Sequence, residues 1–298
     1  MRFSFWPTPS LDYATTLELC QHAEQTGWDG VWLADHFMPN AADTSTPWPE
    51  AWTTLAALAA SIPRVRLGTL VTGNTYRHPA VLAKMAATVD HISGGRLVLG
   101  LGSGWQENEH LQYGIDFATF GERLAKLDEA CQVIQSLFTN ASTQFDGRYY
   151  QLQDAVLEPK PIQQPLPLLI GGGGEKVTLK ITAKYANEWN VWGEPDLLRH
   201  KCSILDQHCA DVGRDPGSIT RTAVALLFLS DDESMLNGLR SRDLGRPSII
   251  GNSAEVRDIV SDYAAAGVSE LIIPDFTMGD TAQKKATMDK FINEVAGR

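Results

Sequence analysis

The chain has 298 residues and a formal charge of -11, with 43% hydrophobic and 20% charged residues. The length allows two ordinary domains or one large α/β barrel, and the composition is that of a folded globular protein rather than a disordered one. The acidic balance argues against nucleic acid or an anionic membrane as partner, and no stretch reaches the roughly 18 apolar residues of a membrane span.

Short apolar runs alternate with helical periodicity from one end to the other. RFSFW reads as a first strand, and the opening MRFSFWPTPS lacks the apolar core of a signal peptide, so a cytoplasmic location is expected. LDYATTLELCQHAEQTG then shows helical apolar spacing and closes on Gly27, as a C-terminal helix glycine should. DGVWLA gives the second strand and residues 50–62 the second helix. VRLGTLVTG is the third strand, followed by a helix from Pro79 to Ile92 with proline in its first turn. GGRLVLGLGSG holds the fourth strand, and GERLAKLDEACQVIQSLFT is a long amphipathic helix. Residues 140–167 are polar and turn-rich, with FDGRYYQL reading as a hairpin about Asp146-Gly147. LPLLIG, EWNVWG, RTAVALLFLS and SELIIP supply strands five to eight, and a last helix runs from Thr281 to Val295.

Eight such alternations fit a (β/α)8 TIM barrel with insertions, read as one domain over residues 1–298. A doubly wound open sheet shares the alternation, which by itself does not show closure. Cys20, Cys131, Cys202 and Cys209 form no C-x-x-C pair, so zinc and dithiol chemistry are disfavoured and they read as plain core or surface thiols.

Chemistry in a barrel belongs at the C-terminal ends of the strands. LLIGGGGEKVT stands at one of them, where the N–H groups of Gly172, Gly173 and Gly174 could meet an anion at a helix N-terminus. The spacing is not that of a Walker loop, and Gly100, Gly102 and Gly104 do not match the dinucleotide fingerprint either. ADHF ends the second strand with Asp35 beside His36, an aspartate able to bond a cofactor hydroxyl and a histidine able to move a proton near neutral pH. A helix cap and a satisfied histidine explain the same dipeptide. GWQENEH adds Glu107, Asn108, Glu109 and His110, in which the carboxylates are acid–base candidates but read first as caps and solvated positions at a helix start, and Glu107-x-x-His110 as half a metal site without a partner. No metal is expected. Tryptophans at strand and helix ends, among them Trp6, Trp52 and Trp105, point to an aromatic-lined pocket, although each alone reads as packing.

GVWLADHF, LGTLVTGNTYRHPAVLAKMAATVDHISGGRLVLGLGSGWQENEH and PLLIGGGGEKVTLK together resemble the bacterial luciferase-like superfamily, and more closely its deazaflavin (coenzyme F420) oxidoreductase branch. The resemblance implies a (β/α)8 barrel in which the glycine loop at Gly172, Gly173 and Gly174 holds the phosphate of the cofactor side chain. It implies a non-proline cis peptide at Leu70–Val71, forming a bulge behind the ring. It implies further cofactor contacts at Asp35, Thr72, Asn74, Gly102, Ser103 and Asn108, with His36 beside the transferred hydride. Trp105 stands where the family's sugar-phosphate dehydrogenases place a catalytic glutamate, and Asn40 where they place a tryptophan, so a less polar substrate than glucose 6-phosphate is expected. The expected activity is hydride transfer between F420 and a small organic substrate, in a homodimer. An FMN-dependent two-component monooxygenase and a non-catalytic cofactor-binding protein are the alternatives; the glutamate tail of F420 suits an acidic chain poorly, which keeps FMN in view.

Overall fold

The computed structural model describes residues 1–298. The strands are β1 (Arg2–Trp6), β2 (Gly30–Leu33), β3 (Arg66–Thr69), β4 (Thr72–Gly73), β5 (Leu97–Gly102), β6 (Thr143–Asp146), β7 (Gln151–Ala155), β8 (Leu168–Gly171), β9 (Glu188–Trp192), β10 (Thr220–Val224), β11 (Leu226–Leu229), β12 (Ser248–Gly251) and β13 (Glu270–Pro274). The helices are α1 (Tyr13–Gln25), α2 (Ala51–Ser61), α3 (Pro79–Ser93), α4 (Glu107–Tyr113), α5 (Phe120–Thr139), α6 (Thr178–Tyr185), α7 (Pro195–Asp211), α8 (Glu233–Arg240), α9 (Ser253–Ala265) and α10 (Thr281–Lys290). The main sheet runs β3-β2-β1-β13-β10-β9-β8-β5-β4, and β3 also pairs with β5, which closes it. All of its pairings are parallel, and β3 and β4 are two halves of one broken strand. The result is a (β/α)8 barrel; the open-sheet alternative is excluded by the β3–β5 pairing.

Strand residues alternate between two cores. Trp6, Trp32, Leu70, Val98, Leu169, Val224 and Ile272 fill the barrel, while the larger cluster lies between sheet and helices. Trp32 needs a bare neighbour: a Cβ on Gly68 would stand 2.8 Å from its Cζ3 and 2.4 Å from the Val98 carbonyl. Below it, at the N-terminal ends of the strands, Glu270 accepts from Arg66 Nη1 at 2.6 Å, Arg2 Nε at 2.9 Å, Ser4 Oγ at 2.7 Å and Trp32 Nε1 at 3.0 Å. Arg66 reaches Glu188 with its other nitrogen at 2.6 Å. Burial alone would raise the Glu270 carboxyl, but Arg66, Arg2, Ser4 and Trp32 hold it below its usual value. This end of the barrel is a plug, and the opposite end is free to carry a site.

Two features differ from the sequence reading, the run RTAVALLFLS and the end of the last helix. The run RTAVALLFLS is not one strand: the chain leaves the barrel at Ala225, and β11 pairs in parallel with β12, a strand with too short an apolar run to stand out. The non-proline cis peptide expected at Leu70–Val71 is present and interrupts the third strand. The last helix passes at Phe291–Ala296 into a π-helical turn. The hairpin about Asp146-Gly147 is present as β6 and β7. All four cysteines are buried free thiols. No helix is long and apolar enough to cross a membrane.

Candidate active site

A cavity of about 850 Å³ opens at the C-terminal end of the barrel. Its walls carry Trp6, Trp48, Trp105, Trp192, Leu226 and Phe276, and its floor is Leu70 and Val71. His36, Tyr76 and Arg246 are the ionisable side chains among the lining residues, and the interior is mostly apolar. No group of three His, Cys, Asp or Glu side chains is placed to hold a metal.

The floor follows from missing side chains. A Cβ on Gly171 would lie 2.8 Å from Val71 Cγ2, one on Gly102 2.9 Å from the same methyl, and one on Gly100 3.1 Å from Cγ1. Gly100 and Gly102, two of the glycines that looked like a failed dinucleotide fingerprint, are therefore part of the seat of the Leu70–Val71 bulge. A directed chain of hydrogen bonds fixes the break from behind. Trp52 Nε1 donates to Thr72 Oγ1 at 2.9 Å, Thr72 to Thr69 Oγ1 at 3.1 Å, and Thr69 to the Gly100 carbonyl at 2.9 Å.

Gly171 and Gly172 line the cavity, with Gly172 at a φ of 126°. Gly172 donates its N–H to the Asn190 carbonyl at 2.9 Å and accepts from Trp189 Nε1 at 2.8 Å, which pins the start of the loop. From Gly173 to Val177 no backbone N–H is used in a hydrogen bond within the protein. This row of free donors precedes α6, with bare Cα atoms at Gly173 and Gly174, where a Cβ would crowd Val191 at 3.1 Å and Thr178 Oγ1 at 2.7 Å respectively. Lys201 lies behind the loop, its Nζ 2.5 Å from Glu175 Oε1.

Alternation past the end of β2 separates the two members of the Asp35–His36 pair. Ala34 and His36 face the cavity, and Asp35 faces away, fully buried. Arg77 Nη1 donates to Asp35 Oδ2 at 2.6 Å, and Nη2 donates to Glu50 Oε1 at 2.6 Å. Burial raises the Asp35 carboxyl, against the pull of the Arg77 guanidinium. Asp35 thus lies one layer behind the wall rather than on it.

His36 Nδ1 stands 2.8 Å from Glu109 Oε1, which leaves Nε2 as the ring nitrogen without a partner in the protein. Glu109 Oε2 accepts the Phe37 N–H at 2.8 Å, and Tyr76 donates its hydroxyl to Oε1. Burial pushes the Glu109 carboxyl up, but the bonds from His36, Tyr76 and Phe37 outweigh it and leave it below its ordinary value. The Tyr76 hydroxyl is pushed up, first by burial and then by Glu109. Trp105 packs edge-on against His36 at 5.4 Å between ring centroids.

Of the residues expected around the cofactor and substrate, His36, Leu70, Val71, Gly102, Ser103, Gly172, Trp6, Asn40 and Trp105 line the cavity. Thr72, Asn74 and Asn108 do not: Thr72 belongs to the chain behind the floor, Asn74 donates to Tyr150 Oη at 3.1 Å, and Asn108 to the Pro39 carbonyl at 3.0 Å. Trp52 is displaced from the expected pocket, because its helix turns the indole into the sheet–helix layer, where it is buried. Gly173, half-buried, and Gly174, exposed, follow Gly172 in the chain and are not among the lining residues. The half metal site dissolves, since His110 is satisfied between the Gln106 carbonyl at 2.7 Å and Thr75 Oγ1 at 2.6 Å, while Glu107 points to solvent. Sequence reasoning favoured a capping or solvated role for Glu109 over an acid–base one; its signal was its position, five residues beyond Gly104 in a barrel strand's glycine turn on the active-site face.

The profile of the luciferase-like monooxygenase family matches residues 1–237. A relative from Kineococcus radiotolerans, named F420-dependent glucose-6-phosphate dehydrogenase, is 40% identical over 245 residues, 80% of this chain and 70% of that one. A protein of the same name from Amycolatopsis mediterranei is 39% identical over 184 residues, 61% of this chain, which spans only about half (51%) of that relative's length. Among solved structures, an F420-dependent secondary alcohol dehydrogenase matches with a TM-score of 0.86 at 20% identity over 99% of this chain and 98% of that one. The coenzyme F420-dependent tetrahydromethanopterin reductase of Methanopyrus kandleri matches with a TM-score of 0.83 at 19% identity, over 99% and 98%. At such identities the structural likeness speaks for the fold.

Proposed function

The chain belongs to the luciferase-like monooxygenase family, and within it we propose that it is an F420-dependent oxidoreductase acting on a small, weakly polar organic substrate. The observation that carries the reading is the opposition, across one cavity, of a histidine with a free ring nitrogen and a wall of bare backbone ending in unused amide donors. The relatives named F420-dependent dehydrogenases support the choice of cofactor.

The residues fit such a group. Val71 and its glycine seat offer a flat floor for a ring, and the amides from Gly173 to Val177, at the positive end of α6, would hold the phosphate of its side chain. Lys201, against Glu175, stands behind that loop as local positive charge in an otherwise acidic protein. When bound, F420 supplies a carbon centre that exchanges a hydride with the substrate and reacts poorly with oxygen. The protein's share is then orientation, exclusion of water and the proton. The aromatic walls exclude water, and His36 Nε2 takes the proton of a substrate hydroxyl or returns it to a carbonyl oxygen. Asp35, through Arg77 and Glu50, supports the loop that carries His36. Trp105 in place of a carboxylate, with aromatic walls around it, argues against carrying over the sugar phosphate of the relatives. A homodimer completes the proposal, with size-exclusion mass as its check.

Titration of the purified, ligand-free protein with F420 and with FMN tests the reading. Saturable F420 binding with weak FMN binding is expected; tight binding of reduced FMN with negligible F420 affinity would overturn it.

A further inference from the structure

Four consecutive residues after β2 are stitched to the start of α4. His36 Nδ1 meets Glu109 Oε1 at 2.8 Å, Phe37 N–H meets Glu109 Oε2 at 2.8 Å, Gln106 Nε2 donates to the Met38 carbonyl at 2.9 Å, and Asn108 Nδ2 donates to the Pro39 carbonyl at 3.0 Å. A loop held at every residue by one helix turn has no freedom to present His36 in another way. We infer that Glu109 is the positioning residue of the active site: its buried carboxylate keeps the His36 proton on Nδ1 and so makes Nε2 the atom that accepts and returns the substrate proton.

The donor inventory carries the argument. Glu109 has two oxygens and faces three donors: the Phe37 N–H on Oε2, and the Tyr76 hydroxyl and His36 Nδ1–H on Oε1. An ionised carboxylate is acceptor-only and meets all three. With the opposite tautomer, a bare Nδ1 lone pair would face a carboxylate oxygen at 2.8 Å, which is repulsive; the Tyr76 hydroxyl, 3.2 Å from the same nitrogen, can cover that lone pair only by giving up its bond to Glu109. In an alcohol oxidation the hydroxyl O–H bond breaks toward Nε2, the C–H bond breaks as hydride leaves for the acceptor of the proposed reaction, and the freed O–H electron pair forms the carbonyl π bond. The imidazolium left behind is balanced by the Glu109 charge. This chemical part rests on the proposed function; the tautomer does not.

The test is the ¹⁵N spectrum of the imidazole of His36 in the ligand-free protein, at a pH where the ring is neutral and assigned with H36Q. Wild type is expected to carry Nδ1–H. In Glu109→Gln, a single oxygen remains; it goes to Phe37 N–H, the amide NH₂ then faces Nδ1, and the ring is expected to switch to Nε2–H. F420 affinity should stay within about threefold while turnover falls by about 10²–10⁴. Glu109→Asp, which keeps the charge on a shorter arm, should retain Nδ1–H and recover part of the turnover. Tyr76→Phe should retain Nδ1–H as well. An Nε2–H ring in wild type or in Glu109→Asp would overturn the inference, as would a Gln variant that keeps Nδ1–H. If Glu109→Gln does not fold, the Asp and Phe variants decide. Failure of wild type to bind F420 would instead sink the proposed function and leave the tautomer result standing.

Discussion

Val71 leans over Gly171 so closely that a Cβ there would stand 2.8 Å from one of its methyls and 2.9 Å from the other. The floor of the cavity is therefore set by what β8 lacks. Gly171→Ala must displace Val71 upward into the space proposed for the ring. The overpacking is expected to cost about 1–3 kcal/mol, with F420 affinity lowered at least about tenfold, roughly 1.4 kcal/mol. Isothermal titration and thermal melts read the two effects separately; unchanged affinity would show that the ring lies elsewhere.

Replacing His36 with alanine removes the one imidazole that lines the cavity. Turnover should fall by about 10²–10⁴ with cofactor affinity nearly constant. Steady-state kinetics beside a binding titration checks this, and a loss confined to KM would remove His36 from proton transfer.

Arg77→Ala strips Asp35 of its counter-charge while leaving the carboxyl buried. Breaking a buried pair in this way is expected to cost about 3–5 kcal/mol near neutral pH. The Asp35 carboxyl already sits above its ordinary value because of burial, and without Arg77 it rises further. The folded variant then holds a proton that the unfolded chain has released, so its stability falls as pH rises above about 3.9. Urea melts from pH 5 to 8 should show the variant worsening steadily; a flat difference from wild type would contradict the account.

At the other end of the barrel the sign is reversed. Glu270 lies below its ordinary value because Arg66 and Arg2 outweigh its burial. Its contribution is complete above about 4.3, the unfolded value, and is lost as pH drops through the folded one. Glu270→Gln should be less stable than wild type at neutral pH and lose less between pH 5 and 2. Acid titrations followed by circular dichroism measure the two slopes, and parallel curves would count against it.

Much of this was legible before any coordinates. Strand–helix alternation fitted a barrel without showing its closure, the glycine run marked the amide row, and the cis bond at Leu70–Val71 came with the family resemblance. What stayed hidden was where charge would point. Glu109 opens a short helix, a place where carboxylates usually meet water, and only the closure of β3 on β5 sets α4 beside the loop after β2. Asp35 was expected to turn inward with its neighbour, yet the two-residue alternation of β2 continues for three residues past its end. Trp52 shows the same limit: a helix-borne indole reads alike whether it faces a pocket or the core. The run RTAVALLFLS hid its break because both halves are apolar, one inside the barrel and one outside.

That break divides the molecule's labour. Once the backbone steps out at Ala225, the small β11–β12 layer sits apart from the barrel proper, carrying Leu226 and the segment that ends at Arg246 to the mouth. Changes in this outpost would retune which molecules are admitted without disturbing the histidine opposite, so selectivity and chemistry can drift independently on a single scaffold.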